Sequence, residues 1–96
     1  MEEQARKIAE LLKLLANEHR LLILCALMKE PLTVGQIHDH TPGISGSALS
    51  QHLGQLKNAG ILDSEKQGMN VRYWIRDERI LPLMEALKEQ YCTEAP

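Results

Sequence analysis

The stretch from Ile44 to Gly60, ISGSALSQHLGQLKNAG, constrains the fold more than any other part of the chain. Leu49, Leu53 and Leu56 recur at i, i+4 and i+7, so a helix puts them on one face. The serine-rich start supplies a cap, and Gly60 suits the left-handed residue that ends a helix. The face away from the leucines carries Ser47, Ser50, Gln51 and His52. These are short, neutral hydrogen-bonding side chains, not the Glu/Lys mixture of a solvated surface helix. A helix that is apolar on one side and compactly polar on the other fits the DNA major groove. Base edges are read there by donors and acceptors held close to the backbone. A plain polar surface helix would show the same face, so the flanking sequence has to decide between them.

Upstream, Glu2 to Ala16 has the helical spacing of Ile8, Leu11, Leu12 and Leu15, with charged residues between them. Asn17 caps a second helix, apolar nearly all round, that runs to Lys29 and is ended by Pro31. Thr33 caps a short third helix, Val34 to His40, with Val34 and Ile37 inward. The Thr41-Pro42-Gly43 turn then leads into the leucine-faced helix, so the pair reads as a helix-turn-helix. After Gly60 the period changes. Ile61 to Lys66 reads as a strand, Gln67-Gly68-Met69-Asn70 as its turn, and Val71, Tyr73 and Ile75 alternate with Arg72, Trp74 and Arg76 in a second strand. A β-hairpin directly after a helix-turn-helix is a wing. Asp77 is placed to cap a last helix from Glu78 to about Cys92, striped by Ile80, Met84, Leu87 and Tyr91. The expected fold class is mainly α with a β-hairpin wing. It is a winged helix-turn-helix with five helices, the two strands between the fourth and fifth, as one domain over residues 1–96.

Net charge −2 argues against a generally basic nucleic-acid coat, so a DNA contact has to come from a local patch. Between Ser45 and Arg76, Lys57, Lys66, Arg72 and Arg76 face only Asp63 and Glu65, which gives the region the required sign. With no Phe and one Trp, the core is built from aliphatic side chains. The Leu-rich helices at the two ends are too apolar for a lone small domain. They are expected to form a homodimer interface through Ile8, Leu12 and Leu15 on the first helix and Met84, Leu87 and Tyr91 on the last. Two cysteines without a CxxC spacing are too few for a disulfide scaffold. The charged, amphipathic start is unlike a signal peptide, and no apolar run approaches a membrane span. A soluble, cytoplasmic protein with reduced thiols is expected. No nucleophile–base constellation or phosphate loop is visible, so neither an enzyme nor a cofactor is expected. His19 reads as a helix-surface residue, and His38 and His40, two apart, point in different directions on a helix.

Four segments together resemble the ArsR/SmtB family of winged-helix repressors: LLANEHRLLIL (14–24), PLTVGQI (31–37), SGSALSQHLGQLKNAGIL (45–62) and VRYWI (71–75). The resemblance covers nearly the whole chain. It implies a dimer paired through the first and last helices and a palindromic double-stranded operator. It also implies that Ser45, Ser47, Ser50, Gln51 and His52 face DNA, and that the wing from Lys66 to Arg72 lies near the flanking backbone. One departure is the turn from His38 to Gly43, about a residue longer than the family's usual one. The family's metal-sensing positions are not retained. Thr33 and Gly35 stand where helix-3 thiolates would be, and Asp77 is followed by Arg79 in place of a histidine. Asp77 alone cannot complete a zinc site, which takes four ligands. Cys25 in the second helix and Cys92 after Tyr91 are instead similar to the HlyU/BigR/SqrR/YgaV-like thiol-sensing subgroup. That similarity implies a switch in which the two cysteines of one subunit are bridged by a disulfide or polysulfide and the operator is released. Free cysteine is also a common core residue, so a structural role for Cys25 stays open. So do an ArsR-type repressor with an unrecognised metal or ligand site and a winged-helix module that binds protein.

Overall fold

The computed structural model describes residues 1–92. Among them the elements run α1 (Glu2–Leu15), α2 (Glu18–Leu27), β1 (Leu32–Thr33), α3 (Val34–His40), α4 (Gly46–Asn58), β2 (Leu62–Gln67), β3 (Asn70–Ile75) and α5 (Ile80–Tyr91). The expected helix order and the hairpin between α4 and α5 are present, and the fold is a winged helix-turn-helix.

Local chemistry sets the helix ends. Asn17 Oδ1 accepts from the backbone N–H groups of His19 and Arg20, at 2.9 and 3.1 Å, and so starts α2. Thr33 and Gln36 form a reciprocal capping box at α3: Gln36 N–H donates to Thr33 Oγ1, and Thr33 N–H to Gln36 Oε1. Ser45 Oγ accepts from the Ala48 N–H at 3.1 Å and opens α4. Gly60, at φ +82°, turns the chain out of α4 and into β2, in a backbone region that L side chains rarely adopt.

These elements enclose one aliphatic core. Ile23, Leu24 and Leu27 of α2 meet Ile37 of α3, the Leu49/Leu53/Leu56 face of α4, and Ile61 and Leu62 at the start of the wing. The burial of all three α4 leucines fixes which side of that helix is left for solvent or DNA.

Four local expectations are corrected. First, α5 begins at Ile80, not Glu78, because the Asp77 carboxylate is engaged by the Arg79 backbone N–H and guanidinium, at 2.9–3.0 Å. Asp77 therefore forms a turn ahead of the helix. Pro82 still falls in the first turn, where its missing N–H costs nothing. Second, the hairpin is part of a three-stranded antiparallel sheet in the order β1-β3-β2, with Leu32 opposite Tyr73 and Thr33 opposite Arg72. Third, Val71 to Ile75 are all half-buried, without the clean alternation expected. β1 closes the second edge of β3, so its outward side chains gain neighbours on both flanks. Fourth, Leu15 and Met84, expected at a dimer interface, are only 4% and 2% exposed and belong to the chain's own core. They face inward under the helices whose outer sides carry Ile8, Leu12, Leu87 and Tyr91.

Candidate DNA-reading face and thiol cleft

Helix α4 turns Ser47, Ser50 and Gln51 to the outside, opposite its leucine face. Ser45 is exposed at the N-terminus, but its hydroxyl already serves as the cap and lies 3.2 Å from Ser47 Oγ. The approach of α4 to α3 is held by the turn between them. His38 Nε2–H donates to the Ile44 carbonyl at 2.9 Å, and the buried Thr41 hydroxyl donates to the Ile37 carbonyl at 3.3 Å. His40 donates separately to the Gln36 carbonyl, so the two histidines are engaged apart from one another. At the far end of α4, Lys57 Nζ donates to Ser64 Oγ at 2.8 Å and ties the helix to the wing. Lys66 is exposed on β2. Arg72 is half-buried on β3, directly across from Glu65, and Met69 stands fully in solvent at the wing tip.

His52 is the exception on this polar face. It is half-buried and turned to α2, where its Nδ1 accepts from Arg20 Nε–H at 3.0 Å. Its ring lies 6.1 Å from that of His19, itself half-buried and not the free surface residue expected. Burial first, then the Arg20 guanidinium and His19, hold the His52 imidazole below its ordinary pKa. Its hydrogen-bonding capacity is therefore partly taken by α2, and the exposed face reduces to Ser47, Ser50 and Gln51. Arg20 and Gln55 were missed at the sequence level. An arginine in an otherwise apolar helix looks like a solvated charge until its partners in α1 and α4 are known.

The two cysteines lie on different elements but on one cleft. Cys25 is half-buried on α2, and Cys92 is exposed at the end of α5. An open cleft of about 560 Å³ is lined by both, together with Met28, Lys29, Glu85, Lys88 and Glu89. A second, apolar cleft on their other side is walled by Leu21, Met84, Leu87 and Tyr91. Burial pushes the Cys25 thiol above its ordinary pKa, Lys88 pulls it back, and the neighbouring Cys92 thiol pushes it up again. Lys88 thus favours thiolate at Cys25. It sits one helical turn before Cys92, whose N–H donates to the Lys88 carbonyl at 2.9 Å. Both cysteines are free thiols. Among the described residues no three His, Cys, Asp or Glu side chains converge into a metal-binding group, and no helix is long and apolar enough to cross a membrane.

Comparison with known proteins agrees with this fold. Residues 17–64 match the family described as bacterial regulatory protein, arsR family. The transcriptional activator HlyU of Vibrio cholerae is 38% identical over 92 residues, which span 96% of this chain and 84% of HlyU. The solved structure of reduced HlyU from that organism superposes with a TM-score of 0.89 over 97% of both chains. The transcriptional repressor BigR from Xylella fastidiosa, 31% identical, also gives 0.89, over 98% of this chain and 95% of its own. A homodimeric winged helix-turn-helix DNA-binding domain from Mycobacterium bovis, 27% identical, gives 0.78 over 93% and 82%.

Proposed function

The chain belongs to the ArsR family of bacterial transcriptional regulators, and we propose that it is a homodimeric repressor that releases a palindromic operator when Cys25 and Cys92 are bridged. The observation that carries this reading is the convergence of the two thiols, from α2 and α5, on one cleft beside Lys88. The likeness to HlyU in a form described as reduced, and to the repressor BigR, supports it. The exposed Ser47, Ser50 and Gln51 read base edges, while Lys66 and Arg72 of the wing hold the flanking phosphates. The likeness to a homodimeric domain supports a homodimer, which pairs through the exposed apolar outer faces of α1 and α5, and the protein acts as one domain in the cytoplasm.

The chemistry requires a thiolate. One cysteine thiolate attacks the sulfane sulfur of a small persulfide, RS–SH, giving a cysteine persulfide and releasing RS⁻. The second thiolate attacks the first cysteine's sulfur, releases hydrosulfide and leaves a Cys25–Cys92 disulfide. A second persulfide lengthens the chain before closure and leaves a polysulfide bridge. The bridge joins α5, at the dimer seam, to α2, which lies beneath the reading helix. Drawing them together changes the angle between the two α4 helices. Half-sites lie about 34 Å apart, so a small rotation takes one helix out of register. A coupling of about 1–3 kcal/mol changes operator affinity roughly 5–150-fold.

Operator titrations with and without a small organic persulfide test the reading. The reduced wild type is expected to bind tightly and to weaken about 5–150-fold on treatment, whereas Cys92→Ser keeps its affinity. A Cys92→Ser variant that responds as the wild type does would remove the thiol switch from the account.

A further inference from the structure

The Arg20 guanidinium makes three hydrogen bonds to three different residues, and it lies outside both the polar outer face of α4 and the thiol cleft. Its Nε donates to His52 Nδ1 at 3.0 Å, one terminal nitrogen donates to the Leu14 carbonyl at 2.9 Å, and the other donates to Gln55 Oε1. One planar guanidinium on α2 therefore ties the end of α1 to two points of α4. His52 and Gln55 are one turn apart, next to Leu53 and Leu56, so the fork fixes both the rotation of α4 about its axis and its slide along α2. A guanidinium presents its donors in a rigid plane, and three acceptors at once leave it one orientation.

We propose that Arg20 is the positioning residue of the reading helix, and that it holds α4 in the DNA-competent orientation only while His52 is neutral. A neutral His52 keeps a lone pair on Nδ1 and its proton on Nε2, so it can accept from Arg20. A protonated His52 has no lone pair to offer and places a positive charge against the guanidinium. The titratable and charged groups facing His52 are Arg20 and His19, both from α2; α1 contributes the Leu14 carbonyl through Arg20, and α4 the neutral Gln55. Glu18 lies 3.9 Å from His19 and pairs with that ring, not with His52. Nothing acidic in this set stabilises an imidazolium.

Arg20 and Cys25 share α2, about a turn and a half apart. The clamp and the thiol cleft therefore share one helix, and a bridge that displaces α2 displaces the fork with it. This last link rests on the thiol-switch reading, whereas the clamp and its pH dependence do not.

The sign of the pH effect follows from the lowered His52 pKa. The folded, clamped state binds fewer protons at His52 than the unclamped state does. Its advantage is complete above the ordinary histidine value of about 6.5 and is lost as pH falls below that toward the depressed value.

The test uses a duplex selected by the wild-type protein from a random-sequence pool, titrated by fluorescence anisotropy at pH 8 and pH 5.5. Arg20→Gln is expected to melt cooperatively and to weaken binding at pH 8 by about 3- to 30-fold. His52→Asn keeps an acceptor where Nδ1 lies and removes the titration. Whatever its absolute affinity, its pH dependence is expected to be flatter than that of the wild type. A folded Arg20→Gln with wild-type affinity, or a parallel loss of affinity at low pH in wild type and His52→Asn, overturns the proposal. NMR titration of the His52 ring reads the clamp without DNA. Its pKa is expected to rise toward the ordinary value in Arg20→Gln, and an unchanged pKa in that folded variant also overturns the proposal. If the wild type selects no duplex, the DNA-binding assignment fails while the ring titration still decides the clamp.

Discussion

Replacing Ile8 and Leu12 together with glutamate is expected to weaken operator binding by about 10²–10⁴-fold while leaving each chain folded. The two residues stand one turn apart on the outer face of α1 and are 55% and 52% exposed, so the protomer core does not depend on them. The opposite side of the helix carries Leu11, Leu14 and Leu15 against the core. On α5, Leu87 and Tyr91 form a matching exposed stripe, with Tyr91 80% exposed. Two apolar stripes on terminal helices are a cost in solvent for a lone chain and an asset for a pair. Glutamates in such a seam would have to lose hydration without a partner, so the variant is expected to be a monomer. A monomer reaches one half-site at a time and loses the effective concentration that links the two contacts. Sedimentation equilibrium reads the mass and anisotropy reads the affinity. A monomeric variant that binds the full operator as tightly as the wild type contradicts the dimeric reading.

Leu53→Ala is expected to cost about 2–5 kcal/mol of folding stability. Leu53 is fully buried at the middle of the α4 leucine face, between Leu49 and Leu56. Truncation removes apolar burial and leaves a cavity at the centre of the aliphatic core. A chain of 96 residues has a total stability of about 5–14 kcal/mol, so the loss is a large share of the whole. Urea unfolding is expected to show a lower midpoint with an unchanged slope. A midpoint within error of the wild type would mean that α4 is not anchored through this residue.

Helix α4 was legible because its information is local. The leucine spacing, the serine cap and Gly60 each specify α4 without reference to any other element. The wing was equally legible from the change of period after Gly60. What stayed hidden depends on pairing across the chain. A strand of only two residues, Leu32–Thr33, has no periodicity of its own and exists because β3 offers it an edge. Asp77 looks like a helix cap, but Arg79 claims its carboxylate and moves the start of α5 to Ile80. Leu15 and Met84 share a helical stripe with interface candidates, and only tertiary packing shows that they point inward. In the site, Ser47, Ser50 and Gln51 were readable as an exposed polar face. The withdrawal of His52 was not, because its partner Arg20 is 32 residues away in sequence. The shared cleft of Cys25 and Cys92 likewise follows from the packing of α5 on α2.

Peptide mass spectrometry on the protein treated with a small organic persulfide, run in parallel with operator binding on the same samples, tests the switch most directly. The account predicts that Cys25 and Cys92 of one subunit are recovered in a single linked peptide pair. It also predicts that the linked fraction rises in step with the fraction of operator released, and that a thiol reductant reverses both. Operator release with the two cysteines unlinked, or full linkage with the operator still bound, contradicts it.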